Sequence, residues 1–427
     1  MAVLTFAVRR RDPVLVGPAG PTPRETKRLS NIDDMEVLRR HMPSVCFYRG
    51  GSRVDDDPAA VIRGAFGEAL VPYYPLAGRL REVEGRRLVV DCTGEGVLFV
   101  EVDADVRLAE LEAATGLRPP FPCMDHQATS RAPVASPLLL VQVTRLLCGG
   151  FVVAFRINHV MCDAAGVSQF VSAHARGLPA PAMPAAWSPE ILEARSQPKA
   201  RDYDAVPPPP PPPSFSNMVQ QTFTFSPADV AALKKRLPPH LRDKAMAFDV
   251  LVAAVWRART AALELPPGKD VGLALMANFR GLSELGIPAG YYGNACIALM
   301  AQTTAGALRG GSLGDEVALV REAKAAMTAE HVRPRSALAD DYFVSDTRHA
   351  FQRADFGWDE PVYAGPVATH PLVRASFLLT VRNADGEEGL AVTMVLPQLV
   401  MDRFASQIEM LLTSLVAPAV RGTKARL

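Results

Sequence analysis

Two hairpin-and-helix blocks constrain this chain more than any other feature of its sequence. In the first, PLLLVQVTRLLCGGFVVAFRINH reads as two long strands on either side of Cys148, Gly149 and Gly150, with the second strand ending at His159. A helix is expected from about Asp163. Near the C-terminus, SFLLTVRNADGEEGLAVTMVLP repeats the plan around Asp385 and Gly386, and the amphipathic VMDRFASQIEMLLTSLV follows as a helix. Earlier strands are expected at 88–92 (LVVDC) and 97–102 (VLFVEV), bounded by turn residues such as Gly94 and Gly96. Strand, strand, helix, written twice, predicts an α/β fold in two similarly built halves. The 427 residues also exceed what one hydrophobic core usually serves.

Between the halves, the prolines at 207–213 predict a polyproline II rod of roughly 22 Å at about 3.1 Å per residue, read here as a stiff crossover. A ligand for an SH3 or WW module is the alternative use of such a run. SPADVAALKKRL then opens a helix with Ser226 as N-cap, Pro227 at the first helical position and Asp229 three residues past the cap. The expected division is a domain over 1–180, a linker over 181–217 and a second domain over 218–427.

Lys plus Arg number 46 against 45 Asp plus Glu, and no basic run carries interleaved aromatics, which argues against a nucleic-acid partner. The cysteines Cys46, Cys92, Cys123, Cys148, Cys162 and Cys296 show no CxxC spacing and no companion histidine cluster, so a reducing compartment and no metal site are expected. No apolar run approaches transmembrane length, and MAVLTFAVRRRDP sets apolar residues before charged ones, the reverse of a secretory signal. A soluble, intracellular, monomeric protein without a membrane partner is the expectation.

Three constellations could carry chemistry. A histidine at a strand end projects into whatever crevice the sheet edge borders, and its near-neutral pKa suits proton abstraction from a hydroxyl. His159 could act so, with Asp163 four residues on; it could equally be a core histidine beside a helix cap, and spacing alone does not decide. GGSLG at 310–314 is formally GxSxG, which would put Ser312 on a hydrolase nucleophile elbow. An elbow needs a buried strand before it, whereas TTAGALRG is small, polar and broken by glycine, and Ser312 with Asp315 makes a helix N-cap. The third is Asp355, Phe356, Gly357 and Trp358 in ADFGWDEPVYAGP, which in isolation reads as a packed turn.

Together, HVMCDAAG and the later DFGW, with YPLAGRL at 74–80, resemble the plant BAHD acyl-CoA-dependent acyltransferases over essentially the whole chain. The stretches VVDCTGEGVLFVEVDADV, PPFPC, PLLLVQVTRLLCGGF, PAGYYGNA and EPVYAGP resemble the subgroup of benzyl alcohol O-benzoyltransferases and related acyltransferases of small alcohols. The resemblance implies two chloramphenicol acetyltransferase-like domains, each a mixed β-sheet with flanking helices, and a solvent channel between them with His159 midway. It implies an acyl-CoA co-substrate, no permanently bound cofactor, and His159 as general base. Transfer is then direct within a ternary complex rather than through Cys162. Benzoyl transfer from benzoyl-CoA to benzyl alcohol is the expected reaction; acetyl- or hydroxycinnamoyl-CoA with another alcohol or an amine is the alternative. Asp163 is expected to point away from the imidazole and pair with Arg280 of ANFRG, with Asp355 also structural.

Asp359 stands where the family motif ends in glycine, so that position is expected to tolerate φ > 0 less well than glycine would. Ala247 stands where relatives often place Ser or Thr, which removes one possible CoA contact. HMPSVCFYR matches a segment near the tunnel mouth and makes His41, Ser44 and Cys46 expected lining residues. The final Ala425, Arg426 and Leu427 have the chemistry of a peroxisomal address read by an import receptor, so the peroxisome is expected, with the cytoplasm as the alternative.

Overall fold

The structure, a computed structural model, describes residues 4–51, 56–121, 135–172, 184–192, 217–328, 342–348, 350, 354–367, 375–382 and 387–413. The proline run at 207–213, most of the expected linker, the turn at Asp385 and Gly386, Cys123, and Ala425 to Leu427 lie outside these residues.

In chain order the first half contributes β1 (Val8–Arg10), β2 (Val14–Val16), β3 (Thr26–Arg28), β4 (His41–Tyr48), α1 (Pro58–Ala69), β5 (Arg79–Val83), β6 (Arg87–Asp91), β7 (Val97–Ala104), α2 (Leu108–Thr115), β8 (Leu139–Leu146), β9 (Phe151–Asn158) and α3 (Ala164–Ser172). The second half contributes β10 (Met218–Phe225), α4 (Pro227–Lys235), α5 (Pro239–Arg242), α6 (Ala247–Ala262), β11 (Asp270–Asn278), β12 (Cys296–Thr304), α7 (Ala305–Gly310), α8 (Leu313–Ala325), β13 (Tyr342–Asp346), β14 (Tyr363–Pro366), β15 (Ala375–Arg382), β16 (Glu388–Pro397) and α9 (Gln398–Thr413).

The first sheet runs β1-β7-β8-β9-β4-β14 with β2 also on β7; the second runs β10-β16-β15-β13-β11-β12; a small third sheet is β3-β6-β5. Both large sheets are mixed and share one plan. A parallel neighbour precedes an antiparallel hairpin, β7 beside β8–β9 and β13 beside β15–β16, and a helix follows each hairpin. This is the duplicated hairpin and helix read from the sequence. The first hairpin turns at Gly149, whose φ of +79° is left-handed and suits glycine.

Alternation sorts the side chains. Along β9, Phe151, Val153, Phe155 and Ile157 enter the core beneath α1 and α3, while Val152 faces the opposite core with Leu108 and Leu111 of α2. In the second half, Leu378, Val392 and Met394 meet the helices α6, α8 and α9, while Phe377, Leu379 and Val381 form the other face, where Met42 of β4 packs against them. Phe377, Leu378 and Leu379 are apolar in succession because both faces of β15 are covered. Helix α6 is buried nearly all round for the same reason.

One element departs from a simple division by sequence. β14 joins the first sheet, antiparallel to β4 with Gly365 opposite Val45. The preceding DFGW segment, which the sequence division put in the second domain, therefore packs in the first core. Ring centroids of Phe356 lie 6.0 Å from Tyr48 and 6.3 Å from Phe66, and Trp358 lies 5.1 Å from Phe151. Tyr48 also donates its hydroxyl to the Ala354 carbonyl. Asp359 holds φ +65° on an exposed turn. The replacement of glycine there is accommodated because Asp enters the left-handed region more readily than most residues.

Candidate active site

The β4–β9 pair ends where the two halves meet, and His159 follows directly on β9. Its amide donates to the Arg40 carbonyl at 2.8 Å, and its own carbonyl accepts from Asn294 Nδ2 at 2.8 Å. The residue is half-buried. Nδ1 is enclosed and meets no hydrogen-bond partner among the described residues. Burial is the main force that lowers the His159 pKa; the charge of Asp163 opposes it and that of Arg40 adds to it. The imidazole is thereby kept neutral, as a proton acceptor requires.

Asp163 does not orient this ring. Its Oδ2 and Oδ1 each accept from Arg280 at 2.9 Å, and its oxygens also take the Ala295 amide at 3.0 Å and the Gly166 amide at 3.0 Å. Burial alone would raise this carboxyl; Arg280 and the two amides outweigh it and hold the pKa below its ordinary value. Arg280 in turn donates to the carbonyls of Tyr291 and Gly293. Asp163 thus caps α3 and ties it to the loop that carries residues 291–295. Gly166 is needed for that contact, since a Cβ there would stand 1.9 Å from the Tyr292 carbonyl oxygen.

Spacing gave no hint of a second polar knot. Asp33, buried completely, accepts from the Asn294 amide at 3.0 Å and from Asn294 Nδ2 at 2.8 Å, and from Ser30 Oγ at 2.5 Å. Burial pushes its carboxyl up to about 6 against the pull of these hydrogen bonds. Asn294 is fastened to Asp33 and fastens the His159 carbonyl. NIDD and YYGNA were both in view in the sequence, but 261 residues separate Asp33 from Asn294.

Of the other expected residues, Ser44 and Cys46 alternate on the same face of β4 as Met42, toward the core that Ile157 enters, and Cys46 is fully buried with its thiol driven up to about 12. His41 alternates to the opposite face, where a ring nitrogen meets the Pro137 carbonyl at 3.2 Å. Asp355 accepts the Gly357 amide at 2.8 Å in a tight turn. That turn packs at the Tyr48–Phe151 end of the β4–β9 pair, a strand length of roughly 25 Å from His159 at about 3.3 Å per residue. Asp355, Phe356, Gly357 and Trp358 are therefore not brought to the histidine. Cys162 is buried, and desolvation holds its thiol well above the ordinary value. A thiolate nucleophile is not available there.

Ser312 caps α8. Its Oγ accepts the Asp315 amide at 3.3 Å and its amide donates to Asp315 Oδ2 at 2.8 Å. The segment before it is the helix α7, not a buried strand, so no nucleophile elbow exists. Ser312→Ala should cost about 1 kcal/mol of stability as a lost cap and leave acyl transfer intact, as paired denaturant unfolding and CoA-thiol release would report. Loss of activity in a folded variant would restore the hydrolase alternative.

A family model for the transferase family matches residues 6–411. A benzyl alcohol O-benzoyltransferase of Petunia hybrida is 43% identical, with 96% of this chain and 94% of that protein aligned. An alcohol acyltransferase (number 16) of Actinidia chinensis var. chinensis is 42% identical over 95% and 94%. Among solved structures, vinorine synthase superposes with a TM-score of 0.73 at 21% identity, covering 96% of this chain and 98% of that one. TRI101 of F. graminearum, complexed with coenzyme A and deoxynivalenol, gives 0.67 at 14%, covering 90% and 97%. At such identities these two likenesses speak for the fold.

Proposed function

This chain belongs to the transferase family, the BAHD acyltransferases, and on that premise we propose that it transfers a benzoyl group from benzoyl-CoA to benzyl alcohol. That it is an acyl-CoA-dependent alcohol acyltransferase follows from the family and its relatives. The choice of benzoyl donor and benzyl alcohol acceptor is supported by the names of two relatives at 43% and 42% identity.

The observation that carries the mechanism is the state of His159, half-buried where the halves meet, with its pKa lowered and Nδ1 enclosed, so that the proton-accepting role is assigned to Nε2. Nε2 accepts the proton of the acceptor hydroxyl as its oxygen attacks the thioester carbonyl. The tetrahedral intermediate collapses by breaking the carbon–sulfur bond, and the proton held on the imidazolium goes to the departing CoA thiolate. No acyl-enzyme is required, in keeping with a buried and protonated Cys162. Asp163 and Arg280 hold the turn after His159, and Asp33 with Asn294 holds its main chain.

Benzoyl-CoA, acetyl-CoA and a hydroxycinnamoyl-CoA assayed against benzyl alcohol, an aliphatic alcohol and an amine test the reading. Among these donors and uncharged-alcohol or amine acceptors, benzyl benzoate should form with the highest kcat/KM. A strong preference for another donor would overturn the assignment of substrate while leaving the reaction class standing.

A further inference from the structure

The residue beside His159 on the neighbouring strand is an arginine. The β4–β9 register ends with His41 opposite Asn158, and just past it the His159 amide donates to the Arg40 carbonyl at 2.8 Å, so the two residues are main-chain neighbours. The Arg40 charge also acts on the imidazole, lowering its pKa, which places the guanidinium in the surroundings of the ring.

Arg40 is half-buried and, among the described residues, its side chain forms no hydrogen bond and no ion pair. The carboxylates around it are engaged elsewhere. Asp34 and Glu36 lie 2.8 and 3.6 Å from Arg39, Asp163 is matched by Arg280, and Asp33 sits behind the His159 carbonyl, held by Ser30 and Asn294. Burial lowers the Arg40 pKa, with only the exposed Glu36 opposing, so the guanidinium is partly stripped of water without a counter-ion in contact.

We propose that Arg40 selects the acyl acceptor by charge, favouring alcohols that carry a carboxylate over neutral ones and disfavouring those that carry an ammonium group. The inference rests on the acyl-transfer reading and names the acceptor class within it. An acceptor hydroxyl must come within hydrogen-bond reach of Nε2. The rest of a small alcohol then lies within a screening length, about 8 Å at physiological ionic strength, of a cation on the adjacent residue. A unit charge at that distance, in a medium between protein and water, changes kcat/KM by roughly fivefold in either direction.

The test uses the full chain with benzoyl-CoA, or acetyl-CoA if that is the better donor, and three acceptors on one ring: benzyl alcohol, para-hydroxymethylbenzoate and para-(trimethylammoniomethyl)benzyl alcohol, whose cation cannot itself be acylated. The wild type should prefer the benzoate to the ammonium acceptor by roughly 25-fold, the product of two such steps. Arg40→Lys should keep that ratio, Arg40→Met should bring it near one, and Arg40→Glu should invert it. A ratio measured within one preparation does not depend on how much of a variant is folded. Turnover of benzyl alcohol with a ratio unmoved by Arg40→Met and Arg40→Glu would overturn this inference alone. Failure to acylate any of the three would overturn the assignment of a benzylic alcohol as acceptor and this inference with it.

Discussion

Replacing His159 by alanine should lower kcat by roughly 100-fold or more, the scale on which a positioned general base contributes, while the KM for acyl-CoA changes little. The main chain of His159 is tied into the fold through Arg40 and Asn294, and the alanine variant keeps both of these bonds. A folded, CoA-binding, nearly inactive variant is therefore the expected product. In the wild type, burial and the nearby Arg40 charge lower the His159 pKa, so the acid limb of kcat/KM should fall below the ordinary histidine range. The base is the neutral form, so activity is lost as pH drops through that value and is retained above it. Near-native turnover in the alanine variant would remove His159 from the mechanism.

Asp163→Ala should cost about 3–5 kcal/mol, because it leaves Arg280 as an uncompensated, largely buried cation. That is a large share of a typical domain's stability of about 5–15 kcal/mol, so soluble yield and activity should fall together. Removing both partners in Asp163→Ala/Arg280→Ala should cost less than the sum of the single changes, because they act as one unit. Denaturant unfolding followed with activity per folded molecule separates the roles. A variant of native stability but lost activity would make Asp163 part of the chemistry instead of the wall that supports it.

What the sequence could and could not reveal follows from the range of the interactions. The hairpins, the capping boxes at Ser226 and Ser312, and the helix after Asp163 are set within a few residues by alternation, glycine and short polar side chains, and they stand where the sequence puts them. β14 could not be read so. YAGP is short and carries glycine and proline, and only its position at the edge of the first sheet makes it a strand. With it went the location of Asp355 and Trp358, which a family motif drew toward the site and which aromatic packing holds far from it. His41 falls on the opposite face of β4 from Ser44 and Cys46, since neighbours on a strand face opposite ways, and Cys46 is fully buried. The Arg280 pairing came from family resemblance and not from spacing, while Asp33, Asn294 and the His159 main chain meet across distances in sequence that no local pattern marks.

The fate of the acyl group decides between direct transfer and hydrolysis. With wild-type protein, benzoyl-CoA and benzyl alcohol, the ester and the free CoA thiol should be counted in the same reaction by chromatography and thiol titration. Direct transfer to the alcohol predicts that they appear in equal amounts from the first turnovers. Thiol release accompanied by benzoic acid in place of ester would show water as the acceptor and contradict it.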